Sequence, residues 1–162
     1  MFITFEGISG AGVSTQARAL SEYLKEAGHQ VVLTRELGGS PGAEDIRALI
    51  LQGEPDRWSP ETEMLLRSAA RRDHLERTIS PALEAGKMVI CDRFVDFDRV
   101  YFTQRDKDYR RTVDMLHGHM IAREPTVTFL IDTDPEVVHQ RMSNVSGPEM
   151  FGKELVQAER TA

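Results

Sequence analysis

Residues 2 to 27 join an apolar run to a glycine-rich turn and that turn to a helical stripe, an order that few folds accommodate. The run FITFE (2 to 6) is rich in β-branched and aromatic residues, as a strand covered on both faces requires. GISGAGVST (7 to 15) follows at once, with Gly7, four residues, Gly12 and then the hydroxyl of Ser14. Residues 14 to 27 put Ala17, Leu20, Tyr23, Leu24 and Ala27 on one stripe, and Gly28 is the expected stop. A strand, a Gly-x-x-x-x-Gly-x-Ser turn and a helix in this order suit phosphate. The glycines let backbone N–H groups converge on an anion, and the helix N-terminus adds a favourable partial charge. Gly7, Ser9, Gly10, Ala11, Gly12, Val13, Ser14 and Thr15 are therefore the candidate phosphate contacts. The alternative for such a turn taken alone is a strand-to-helix connection with no ligand.

The rest of the chain repeats the alternation. QVVLTR (30 to 35), KMVICD (87 to 92) and TVTFLID (126 to 132) read as further buried strands. Helical spacing recurs over 43 to 52, with Ile46, Leu49 and Ile50 on one side, and over 60 to 85, where Ser59 caps, Pro60 opens the first turn and Pro81 is expected to interrupt. It recurs again over 109 to 122, with Val113, Leu116 and Met120 together, and over 135 to 142. Strands alternating with helices imply right-handed crossovers, hence an α/β fold in three layers with a parallel sheet flanked by helices. We expect one domain over residues 1 to 162. After residue 142, SNVSGPEMFG reads as a loop and KELVQAERTA as a last helix with no strand beyond it, so the fold is expected to lack its last strand or to be truncated there.

Composition excludes some functions. A net charge of -6 argues against a broad nucleic-acid surface. No apolar run reaches the roughly 18 residues of a membrane span, and no basic, apolar leader opens the sequence, so a cytoplasmic protein is expected. The single cysteine, Cys91, lies in an apolar run and reads as buried and structural.

Five blocks, in order, resemble the thymidylate kinase family. FEGISGAGVSTQ looks like FEGxDGAGK(S/T)TQ, and TRELGGSPGAEDIR like TREPGGTxxGExIR. SPETEMLLRSAARRDH is similar to SPxTExLLFxADRxxH, GKMVICDRFVDFDRVY to GKxVxxDRYxxSxxAY, and EPTVTFLIDTDPEVVHQR to PDLTxxLDxxPExxxxR. The resemblance implies a P-loop nucleoside monophosphate kinase fold, a homodimer, and phosphoryl transfer from ATP to dTMP with Mg²⁺. It implies catalytic roles for Arg35, Asp92 and Arg93, metal contacts from Ser14 and Asp92, and an acceptor site of Arg35, Arg67, Arg71, Arg93, Phe97 and Tyr101. Physical chemistry agrees for several of these: ligands of open α/β sheets bind beyond the strands' carboxyl ends, where Arg35, Asp92 and Arg93 fall, and arginine offers phosphate a planar fork.

The chain departs from the family pattern at sites of chemistry. Val13 replaces the loop lysine, whose ammonium follows charge between the β- and γ-phosphates; losing such a charge costs on the order of 10²- to 10³-fold. Ser9 replaces an acidic residue, Leu37 a proline, Arg67 a phenylalanine that stacks on thymine, Ala70 an aspartate and Phe102 a glutamine. Phe97 and Asp98 stand where small polar residues face the base. The resemblance implies a lid that brings basic residues over the phosphates, and here RMSNVSGPEMFGKE offers only Arg141 at its start and Lys153 near its end; Arg18, one turn beyond Ser14, is the candidate to compensate for Val13. Two readings follow. One is a divergent kinase of this family; the other is a catalytically inactive protein of the same fold that binds a nucleotide, phosphate or partner.

Overall fold

The computed structural model describes residues 1–54 and 57–143. Four parallel strands, β1 (Phe2–Glu6), β2 (Val31–Arg35), β3 (Met88–Asp92) and β4 (Val127–Leu130), form one sheet in the order β2-β3-β1-β4. Register is set by pairs such as Ile3 with Ile90 and Thr4 with Thr128, whose hydroxyls lie 2.9 Å apart. The expected strands thus appear within two residues of their ends. The expectation that all four are buried on both faces fails at the edges: β2 is half-buried and Leu130 of β4 is 71% exposed. An edge strand has a neighbour on one side only, so its apolar residues do not report full burial.

Alternation along the central strands builds two cores. Phe2, Val89 and Cys91 point to one face, under helices α3 (Pro60–His74), α4 (Ser80–Glu84), α5 (Val95–Thr103) and α6 (Tyr109–Leu116). Ile3, Phe5 and Ile90 point to the other, where they meet Val13 and Ala17 of α1 (Val13–Glu26) and Val138 of α7 (Pro135–Met142). A third cluster packs α2 (Pro41–Leu51) on α3 through Ala43, Ile50 and Ala70. The result is the three-layer α/β arrangement the sequence led us to expect, with Cys91 buried in it.

Several helices differ from expectation in detail. Ser59 caps α3 through its Oγ, which accepts from the Thr62 N–H at 3.2 Å. Pro81 does not end the helical run. A π-helical turn over Leu75–Ile79 precedes it, and the path continues into α4. Proline lacks the N–H and crowds the carbonyl four residues back, and a widened turn just before it accommodates both effects. A second π turn, His117–Ile121, follows α6 and rotates the stripe, so that Ile121 is buried while Met120 is 50% exposed. Tyr23 and Leu49 likewise face solvent rather than the core. Helix α5 was not anticipated; it starts three residues after β3, and its DFD stretch obscures the periodicity. Residues 144 to 162, including the expected loop, final helix and Lys153, lie outside the described residues.

Candidate active site

β1, β2 and β3 end at Glu6, Arg35 and Asp92 along one edge of the sheet, and the glycine-rich turn wraps the end of β1. Gly7 is required sterically: a Cβ there would meet the Ile131 carbonyl oxygen and a Val13 methyl, each at 2.9 Å. Gly12, at φ +105°, turns the chain into α1 in the left-handed region that glycine adopts without strain. Val13 then points inward, 3% exposed, in the core cluster with Ala17 and Val138. The loop therefore keeps its backbone cradle and has an apolar anchor in place of a cation.

Two cavities meet at this loop. One, of about 440 Å³, is bounded by Gly10 through Gln16, Arg93 and Arg141. The other, of about 390 Å³, takes in Arg35, Arg67, Arg71, Arg93, Phe97 and Asp98 on its walls. Gly10, Ser14 and Arg93 line both. Arg18 lines neither of these; it is exposed beside Thr34 and Arg35 in a third cavity, so it does not compensate for Val13 at the loop. Of the lid cations, Arg141 reaches the loop: its Nη1 donates to the carbonyls of Gly10 at 3.1 Å and Ala11 at 3.2 Å. No sequence spacing could announce that contact, because 131 residues separate Arg141 from Gly10.

Arg93 combines an unusual backbone conformation with its place in the site. Its φ is +69°, uncommon for a side-chain-bearing residue, and its N–H donates to the Phe5 carbonyl at 2.8 Å. That conformation turns the guanidinium back over the loop, where Nε reaches the Gly7 carbonyl at 3.4 Å and Nη2 the Ser9 hydroxyl at 3.3 Å. Asp92 receives a short hydrogen bond from the Ser14 hydroxyl on Oδ2, while its buried Oδ1 has no hydrogen-bond partner among the described residues. A carboxylate oxygen left unpaired beside a hydroxyl is a donor set for a hard cation that takes its remaining ligands from water and substrate.

The second cavity is walled by fixed ion pairs. Arg71 donates to Glu36 at 2.7 Å and to Asp98 at 2.8 Å; Arg67 donates to Glu63 at 2.8 Å and to Asp98 at 3.0 Å. Burial opposes the charge on both guanidiniums, but the facing carboxylates outweigh it and raise both pKa values. Arg67 also lies 4.8 Å over the Tyr101 ring. Its plane is thus engaged by protein. Tyr101 is buried beneath Arg67, its hydroxyl against Glu63 and Arg105, and does not itself line the cavity. Phe97 does, with the Arg93 guanidinium 5.0 Å from its ring. Arg35 is exposed and paired with Glu44 at 2.9 Å. Sequence reasoning passed over Arg47, Glu36 and Glu63. Arg47 sits in a motif block and borders the cavity; burial first, then the Arg35 guanidinium, lowers its pKa.

A family model described as Thymidylate kinase matches residues 5–159. The thymidylate kinase of Ruegeria pomeroyi is 60% identical over 164 residues, spanning 99% of this chain and 78% of that protein. That of Dinoroseobacter shibae is 58% identical over 150 residues, spanning 92% and 72%. The crystal structure of thymidylate kinase from Ehrlichia chaffeensis matches with a TM-score of 0.77 at 35% identity, over 99% of this chain and 88% of that one.

Proposed function

The chain belongs to the thymidylate kinase family, and we propose that it transfers the terminal phosphoryl group of ATP to dTMP, giving dTDP and ADP. The observation that carries this reading is the junction of the two cavities at Gly10, Ser14 and Arg93. A triphosphate seated in the loop cavity and a monophosphate in the other would meet there.

In this reading the N–H groups of the loop from Gly7 to Thr15, with Ser9, Ala11 and Gly12 between, hold the donor phosphates. Arg93 spans donor and acceptor, and Arg35 and Arg71 approach the acceptor's phosphate and base, with Arg67 and Phe97 in the wall and Tyr101 behind it. An oxygen of the acceptor phosphate attacks the γ-phosphorus, and the bond from that phosphorus to the β–γ bridging oxygen breaks, leaving ADP. The attacking phosphate is already ionised, so positioning and charge stabilisation carry the rate. Ser14 and Asp92 are the residues that would hold Mg²⁺, which neutralises phosphate charge when bound. The enzyme is read as a homodimer of the cytoplasm; among the described residues no helix is long and apolar enough to cross a membrane.

The buried Val13 and the paired Arg67 favour a second reading, a nucleotide- or phosphate-binding protein with little turnover. A coupled assay of ADP release across nucleoside monophosphates decides between them. Turnover with dTMP, slow against an enzyme with the loop lysine by on the order of 10²-fold, supports the kinase. No turnover with any monophosphate, alongside ATP binding by calorimetry, supports the second reading.

A further inference from the structure

His74 closes α3 and is fully buried, and it lines neither of the cavities that meet at the phosphate loop. Thr34 and Glu36 flank Arg35 at the end of β2, so strand alternation sends both toward α3 while Arg35 points to the other face. The imidazole sits against that pair. Its Nε2 is 2.7 Å from the Thr34 hydroxyl, and its Nδ1 is 3.5 Å from Glu36 Oε1. A carboxylate oxygen only accepts, so Nδ1 carries its proton toward Glu36. Gly39, at φ +88°, leaves room for the ring: a Cβ there would overlap both His74 Nε2 and the Thr34 hydroxyl.

Glu36 is what the ring holds. Its Oε2 accepts from Arg71 Nε at 2.7 Å, and its own N–H donates to the Asp92 carbonyl at 3.0 Å. Arg71 goes on to Asp98 through Nη2 at 2.8 Å. Its Nη1 has no partner among the described residues, and the guanidinium lines the second cavity, so Nη1 is the end left for a ligand. An ion pair fixes a guanidinium only as well as its carboxylate is fixed, and a glutamate side chain has several torsions to hold. The backbone bond anchors one end of Glu36, and His74 engages the oxygen that Arg71 leaves free. The same spacing serves Arg35. Gly39 donates its N–H to Glu44 Oε1 at 3.0 Å, the oxygen that Arg35 Nη2 reaches at 2.9 Å.

We propose that His74 is a positioning residue for the acceptor nucleotide, holding Glu36 so that Arg71 presents Nη1 to the second cavity. The acceptor named here rests on the kinase reading, whereas the aim of Arg71 is set in the ligand-free protein. His74 touches no substrate, and its effect reaches the acceptor through Glu36 and Arg71.

Calorimetry with dTMP and with inorganic tripolyphosphate, both in the presence of Mg²⁺, tests this chain of contacts. An asparagine amide ends where Nδ1 lies and a glutamine amide where Nε2 lies. His74→Asn therefore keeps an N–H toward Glu36, and His74→Gln keeps only the Thr34 side. His74→Gln is expected to weaken dTMP by on the order of 10-fold and to leave tripolyphosphate unchanged. His74→Asn is expected to recover most of the dTMP affinity. In ligand-free protein the NMR signal of the Arg71 Nε–H group is expected to move in His74→Gln and to stay in His74→Asn, and the unaltered protein is expected to hold an imidazole proton on Nδ1. Equal dTMP affinities of the parent and His74→Gln would overturn the proposal, as would equal losses in the two variants, a loss shared by tripolyphosphate, or an imidazole without a proton on Nδ1. If the parent binds no monophosphate, the kinase reading falls and the Arg71 signal decides: a shift confined to His74→Gln sustains the aiming role, and any other pattern overturns it.

Discussion

Glu6 ends β1 with its carboxyl turned into the protein, where Oε1 accepts the Phe94 N–H at 2.8 Å and Oε2 is buried with no partner among the described residues. Burial is the main cause that raises its pKa to about 8. The native protein therefore holds a proton on Glu6 at neutral pH, whereas the unfolded chain releases it near the ordinary value of 4.5. Stability from this group is complete below that ordinary value and is lost as pH rises through about 8, since the folded state binds the proton more tightly. Glu6→Gln keeps an acceptor for Phe94 and cannot ionise. Denaturant titrations are expected to show the parent's unfolding free energy falling from about pH 4.5 to about pH 8 relative to the variant, which becomes the more stable by a few kcal/mol at the upper end. Parallel curves for the two proteins would show that Glu6 does not titrate in this way. Nothing in the sequence FEG announces the effect, because a strand-end glutamate becomes perturbed only when Phe94 and the neighbouring strand close over it.

Helices α3 and α5 are joined by charge as much as by apolar packing. Asp98 of α5 accepts from Arg67 and Arg71 of α3, which hold Glu63 and Glu36 in turn. Arg67, Phe97, Asp98 and Phe102 look like unrelated departures when read along the chain. In the structure they are one unit: Arg67 pairs with Asp98, and its guanidinium lies 5.8 Å from both the Phe97 and Phe102 rings. Removing one partner of a buried ion pair typically costs about 3–5 kcal/mol, and Asp98 is a partner to two guanidiniums, each of which keeps one other carboxylate. Asp98→Ala is expected to destabilise the fold by about 3 kcal/mol or more, read from the shift of the urea midpoint at constant slope. A change below about 1 kcal/mol would mean the pairs are replaceable by solvent. Arg67→Phe with Asp98→Ala removes both partners and puts an apolar ring back, so it is expected to cost less than Asp98→Ala alone. A double variant less stable than the single would break that coupling argument. At this scale the sequence was read well for β1 to β4, because apolar runs bounded by polar ends need no partner to be recognised. It was read poorly for α5 and the π turns, whose form is set by what they pack on.

For the whole molecule, the loop and the strand-end charges were legible because glycine spacing and strand order are local patterns. The approach of Arg141 to Gly10 was not, since it depends on α7 docking across the sheet. Assembly is the property that remains to be argued at this scale. Leu65 of α3, Val100 of α5 and Met115 of α6 are each more than half exposed, at 58%, 51% and 54%. α6 contacts both α3 and α5, so these residues ride on one group of helices. Exposed apolar residues on adjoining helices are the material of an isologous contact, in which the same patch serves both copies. Sedimentation velocity is therefore expected to give a dimer for the parent chain. Leu65→Glu would place two like charges close together across the two-fold axis and is expected to shift the protein to monomer while leaving the circular dichroism spectrum unchanged. A dimer of undiminished affinity in Leu65→Glu would move the interface elsewhere. Leu65 lies two residues before Arg67 on α3, and the same helix carries the ion pairs of the second cavity. Loss of the dimer is thus expected to lower monophosphate affinity more than triphosphate affinity, because the phosphate loop leans on α1 and α7 instead.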